Sequence, residues 1–369
     1  MERSGTPVRG GCRAADLVRI AEAPGPFASV WLGRSGLGSY DAAAETQTDQ
    51  VRRGLREAGA PQHVATAIAE VTGRGTSPGV VAIADESGLL LREILDEPPR
   101  HEVVRWGPVP AWCAAIEHRQ ALIPVIVVLA DRVGADLLMS SARGTETTEV
   151  AGDTDPITKS APGGWSQRRF QQRAENTWEH NASLVVEEVV GEARSLHPEL
   201  IVLGGDGRAV QAVLDRLPKG LRAITHTMPS GRAVDGSDAQ RVEDVDRLVR
   251  TAVAEQTVRV LQTLQQEHGR DALAANGEVA TFDALARSRV DVLLVHDDGD
   301  DERQAWWSAA HGVAALDRSM LDALGSGAEP VQDRLVDVAV SAALHAGASV
   351  RVVPDAAVLQ DGIAALLRW

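Results

Sequence analysis

The sequence has few cysteines and few lysines. Its two cysteines, Cys12 and Cys113, are too few for a disulfide framework and lack partners spaced for a zinc knuckle, which points to a reducing cytoplasm. Only Lys159 and Lys219 are lysines among 37 basic residues. This arginine bias fits a GC-rich coding sequence better than a site, so no arginine counts on identity alone. No window approaches ~18 uninterrupted apolar residues, which argues against a transmembrane helix. Met1 to Asp16 has no apolar stretch of the kind a secretory signal needs. The net charge of -15 argues against general adhesion to nucleic acid and leaves room only for a local basic patch.

What is present is an ordinary globular composition, 44% hydrophobic and 24% charged over 369 residues. That length predicts two or three domains. In residues 1–120 the pattern predicts strands at Phe27–Leu32, Gly79–Ala84, Leu89–Leu95 and Glu102–Trp106. Helices are expected at Thr48–Ala58, Gln62–Val71 and Ala111–Gln120. A central unit over 121–230 opens with the β-branched run Val125–Leu129, which suits a buried strand. Strands at Ala135–Ser140 and Thr147–Ala151 follow, then a polar loop and a long helix from Ser166 to about Leu196. A strand at Leu200–Leu203 and a helix at Ala209–Leu217 close the unit. Pro229–Gln240 reads as a linker. A C-terminal unit over 236–369 starts with a helix at Val242–His268 and has strands at Val290–Val295 and Ser349–Val353. Strands alternating with helices give an α/β fold class in three domains.

The loop before the long helix carries the most chemistry. It holds Lys159, Pro162, Gly163, Gly164, Trp165, Ser166 and Gln167, and Ser166 is a candidate N-cap. Arg168, Arg169 and Arg173 follow within two turns. Cations there oppose the helix dipole at a cost of ~0.3–1 kcal/mol each. A phosphate backbone would use that charge, and a Trp at the loop tip would stack on a base for ~1–3 kcal/mol. A plain surface loop before an arginine-rich helix explains the same residues, and physical chemistry does not choose between the two.

Gly163 to Asn181 resembles the Gly-Gly-Gln loop and following helix of the archaeal–eukaryotic peptide-chain release factor family, with Ser166, Arg169-Phe170 and Arg173 at matching places. Val290–Val295 is similar to a strand of that family's C-terminal domain. Asp361 to Trp369 is similar to its closing Gly-Ile-Ala-Ala segment. The three motifs occur in the family's order. The resemblance implies three α/β domains, the last resembling a ribosomal-protein-like α/β/α layer. It also implies a ribosome-binding protein that contacts ribosomal RNA in the A site.

Two departures modify that implication. Trp165 stands where the family has its catalytic Gln, and an indole N–H donates but does not accept; the resemblance therefore implies no catalytic residue here. The family's Asn-Ile-Lys-Ser and Tyr-x-Cys decoding motifs are also missing: no lysine precedes Lys159, and the single Tyr40 is followed by Asp41-Ala42. Bacterial members without these motifs, the Balon-like proteins, are ribosome hibernation factors, which makes that role the leading expectation. Elongation factor Tu or another translational GTPase is a candidate partner. The alternative is a peptidyl-tRNA hydrolase or rescue factor using Gln167 or a nearby polar group.

Other signals are set aside. Gly204-Gly205-Asp206-Gly207 follows a strand, but the third glycine of a dinucleotide fingerprint is missing, so a structural turn is expected. Asp297–Glu302 lacks the ligand order of a calcium loop and reads as a solvated loop. His180 reads as a surface or packing residue, and at least one of Trp306 and Trp307 as core. No cofactor or metal is expected.

Overall fold

The computed structural model describes residues 15–34, 40–73, 75, 77–131, 133–141, 144–151, 164–229, 238–269, 273–323 and 329–369. The chain gathers into two compact units, one made of residues 1–120 with 256–369 and the other of 121–255. The sequence reading gave three domains, with boundaries after 120, as here, and between 230 and 236.

The first unit begins with α1 (Ala15–Glu22), β1 (Phe27–Gly33), α2 (Tyr40–Glu57), α3 (Gln62–Gly73), β2 (Gly79–Asp85), β3 (Gly88–Leu95), β4 (Val103–Gly107) and α4 (Cys113–Ala121). The four strands form an antiparallel sheet in the order β3-β2-β1-β4. Both faces of its centre are covered, which is why β1 and β2 are buried almost throughout instead of on alternate residues. On one face Val51 and Leu55 of α2 and Val64 and Ile68 of α3 pack on Val30, Leu32 and Val80. α2 and α3 approach so closely that a Cβ on Gly73 would lie 1.7 Å from Thr48 Oγ1.

The second unit holds β5 (Val125–Ala130), β6 (Gly134–Ser141), β7 (Gly144–Ala151), α5 (Gly164–Leu196), β8 (Leu200–Gly205), α6 (Gly207–Arg216), the short α7 (Lys219–Arg222) and β9 (Thr225–Thr227). It also takes the first half of α8 (Asp238–His268). The sheet order is β7-β6-β5-β8-β9, with β5 parallel to β8 and β8 parallel to β9. Alternation along β5 explains its unbroken apolar run. Ile126, Val128 and Ala130 face α5 and α6. Val125 and Val127 face Val245, Leu248, Val249 and Ala252 of α8.

The rest of the first unit comprises β10 (Ala274–Asn276), α9 (Glu278–Ala286), β11 (Val290–Val295), β12 (Gln304–Ser308), β13 (Val313–Ala315), α10 (Arg318–Asp322), β14 (Val331–Arg334), α11 (Leu335–His345), β15 (Ser349–Val352) and β16 (Ile363–Leu367). The sheet β10-β16-β11-β15 lies between α8, which supplies Val260 and Leu264, and the pair α9 and α11. β13-β12-β14 form a small second sheet. Trp112 and Ile116 share one core with Val338, Val340 and Leu344 of α11. That shared core joins chain segments more than two hundred residues apart into one unit.

Candidate functional site

The expected site centres on the start of α5. Gly164, Trp165, Ser166 and Gln167 form its opening turn, and Arg168, Arg169 and Arg173 follow in the next turns. Lys159, Pro162 and Gly163 lie outside the described residues, as does most of the linker expected at 229–240. The helix begins two residues before the expected start, so Ser166 is inside it rather than its N-cap. A glycine at the start is well tolerated because the first amides of a helix need no intrahelical acceptor. The first turn contains no Asp or Glu in its sequence, where an acid would favour the helix dipole.

The C-terminal half of α5 fixes its axis. Ala182, Val185, Val189 and Ala193 recur at helical spacing and are buried against β5, β6, β8 and α6 through Ile126, Leu137, Leu203, Val210 and Val213. Asn181 is buried as well. At 1.5 Å per residue, Trp165 lies ~25 Å along the axis from Ala182. His180 is exposed, as expected, and Glu179 beside it lies 3.6 Å from Arg216 Nη2 on α6.

The glycine turn between β8 and α6 is structural. Gly205 has φ +128°, and a Cβ there would meet Ala130 O at 1.8 Å. The Asp206 carboxylate accepts from the Arg208 and Ala209 amides at 3.0 and 3.4 Å, so it takes the N–H groups a phosphate would need. The crevice beside it, lined by Asp131, Asn181, Asp206 and Val213 among others, encloses about 10 Å³. That holds at most a water. No group of ligands suited to a metal occurs among the described residues. Burial, with the nearby Asp297 and Asp337 charges, pushes the Cys113 thiol well above its usual range and leaves it inert.

The acidic run corrects one expectation. Asp297 is not solvated: its side chain is 5% exposed and paired with Arg334 at 2.8 Å. Its burial follows from that partner, 37 residues on in the chain. Asp301 is held by Arg303 at 2.7 Å. Of the tryptophan pair, Trp307 is core, while Trp306 carries Arg318 5.3 Å above its ring. The sequence reading passed over the buried polar centre around Asp337, whose one signal is a lone carboxylate in the apolar stretch Leu335–Leu344. No helix among the described residues is long and apolar enough to cross a membrane.

Residues 124–270 match the family model of bacterial archaeo-eukaryotic release factor family 2. That span includes all of α5 and is release-factor-like in sequence. No curated protein matches the chain. Among solved structures, the archaeal translation termination factor aRF1 is 16% identical, with 96% of each chain covered and a TM-score of 0.24. Archaeoglobus fulgidus Pelota is 14% identical, covering 79% of each chain at a TM-score of 0.36. Ribosome-bound archaeal Pelota, described together with ABCE1, is 15% identical over 97% of this chain and 95% of its own at a TM-score of 0.39.

Proposed function

We propose, from the premise that residues 124–270 are of bacterial archaeo-eukaryotic release factor family 2 type, that this chain binds the ribosome as a tRNA mimic. In this reading it occupies the A site of resting or stressed ribosomes, in the manner of a Balon-like hibernation factor, without reading stop codons or releasing peptide. The Gly-Gly-Trp segment, Pro162 to Gln167, reaches toward the peptidyl-transferase centre. Arg168, Arg169 and Arg173, with Lys159, neutralise ribosomal RNA phosphates along the way.

The observation that carries the reading is the start of α5. A helix anchored at its far half brings three arginines into its first turns, with no acidic residue in the opening turn. Cations near a helix N-terminus cost helix stability; an external polyanion compensates that cost. The net charge of -15 makes such a local patch the expected route to RNA, since the molecule as a whole is repelled. Elongation factor Tu or another translational GTPase remains the partner class to assay, by pull-down with the purified factor.

The test is ribosome affinity against salt for the wild type and for Arg168→Glu/Arg169→Glu/Arg173→Glu. Loss of about three phosphate contacts should weaken binding and flatten the slope of log K against log salt by about two to three. Unchanged affinity and slope would remove these arginines from the interface.

A further inference from the structure

The first unit contains a buried polar centre that the proposed function does not use. It lies where residues 1–120 meet residues 256–369. Arg105 on β4 donates to Asp333 on β14 at 2.9 Å and to the Val109 carbonyl at 3.0 Å. Asp333 Oδ2 accepts from the Val109 amide at 3.1 Å. Arg334 donates to Asp297 Oδ1 at 2.8 Å and to the Asp298 carbonyl. Each guanidinium thus has its own carboxylate.

Asp337, in the first turn of α11, is the third carboxylate. It is fully buried. Its Oδ1 accepts from the Trp112 amide at 3.0 Å, and the Trp112 indole N–H donates to Ser341 Oγ one turn further along at 2.8 Å. Its Oδ2 lies 3.2 Å from Arg105 Nη2 and 4.0 Å from Arg334 Nη1, yet accepts no hydrogen bond. The Arg105 Nε is also buried without an acceptor.

The charge count is therefore uneven, with three carboxylates facing two guanidiniums. His101, whose Nε2 is 3.4 Å from Asp297 Oδ2, adds charge only when protonated. Cys113 stays a neutral thiol. Charged groups on the other packed elements have partners of their own. Glu117 of α4 pairs with Arg100, Asp16 of α1 with Arg119, and Glu278 of α9 with Arg303. His345, two turns along α11, lies edge-on to Trp307. An uncompensated buried charge is costly, and a proton is the cheapest remedy.

We propose that Asp337 is a proton-operated catch on the seam between residues 1–120 and 256–369: protonated, it leaves two balanced arginine–aspartate pairs and a tightened seam, and ionised, it adds a buried charge that loosens the seam. Burial pushes its carboxyl up to about 6, with Asp297 adding to the rise and Arg105 and Arg334 opposing it. The folded state therefore holds the proton more tightly than the unfolded chain. Seam stability is full below the ordinary carboxylate range and is lost as pH rises through about 6.

The test is hydrogen exchange of the Trp112 amide in the full chain, corrected for the intrinsic pH dependence of exchange. Protection in the wild type should be about fourfold higher at pH 5.5 than at pH 8. Asp337→Asn, which mimics the neutral carboxyl, should give a flat profile at or above the protected level. Asp297→Asn, which removes a neighbouring negative charge, should keep the step and move its midpoint to lower pH, which retains a readout if Asp337→Asn does not fold. A wild-type profile without a step between pH 5.5 and 8 would overturn the proposal. An unaltered step in Asp337→Asn, or an unmoved midpoint in Asp297→Asn, would do the same.

Discussion

Gly205 and Gly191 show how opposite the demands on one residue type are within the second unit. At Gly205, where β8 turns into α6, φ is +128° and a Cβ would lie 1.8 Å from the Ala130 carbonyl. Gly205→Ala should destabilise the second unit by about 3 kcal/mol, from a left-handed backbone and a backbone clash together. Gly191 lies inside α5 with nothing within 4 Å of its missing Cβ. Gly191→Ala should stabilise by about 1 kcal/mol, the helix-interior difference between the two residues. Thermal unfolding of the two variants against the wild type checks both signs. The structural nature of the Gly204–Gly207 turn was legible from the missing third glycine. The fate of Asp206 was not, because the choice between capping its own helix and leaving those amides for a ligand depends on backbone angles.

At the scale of the element, the second half of α5 packs on its sheet, and its opening turns carry three arginines in their sequence. Val189 is fully buried between the sheet and α6, so Val189→Ala removes two methyl-sized groups from a packed core. It should cost about 2 kcal/mol. The triple change Arg168→Glu/Arg169→Glu/Arg173→Glu should have the opposite effect on the fold. Negative charge near a helix N-terminus is favourable, so stability should hold or rise by up to about 1 kcal/mol. Circular dichroism melts of the two variants check this, and they show whether any loss of ribosome binding arises without unfolding. The span of α5 was largely legible, because its periodicity at Val185, Val189 and Ala193 is that of one buried face. Its first residue was not, since Ser166 has cap chemistry but the backbone becomes helical two residues earlier. The acidic run misled for a similar reason. A string of Asp and Glu looks solvated until Arg334 is placed beside Asp297.

At the scale of the molecule, the least legible feature is the shared core of residues 1–120 and 256–369. Composition and periodicity report local structure, and nothing local announces that Trp112 will pack on α11 or that Arg105 will reach Asp333. The alternation of strands and helices gave the α/β layers correctly, and the β-branched run Val125–Leu129 its buried place in the central sheet. The ribosomal expectation rests on residues whose roles come from a family resemblance, and Lys159, Pro162 and Gly163 lie outside the described residues. The family match over 124–270 spans the segment that contains α5.

The measurement that tests the central claim most directly is co-sedimentation of the purified chain with intact ribosomes, carried out with and without peptidyl-tRNA in the P site. The account predicts stoichiometric binding with the peptidyl-tRNA ester left intact. Release of the peptide on binding, or no binding even at low salt, would contradict it.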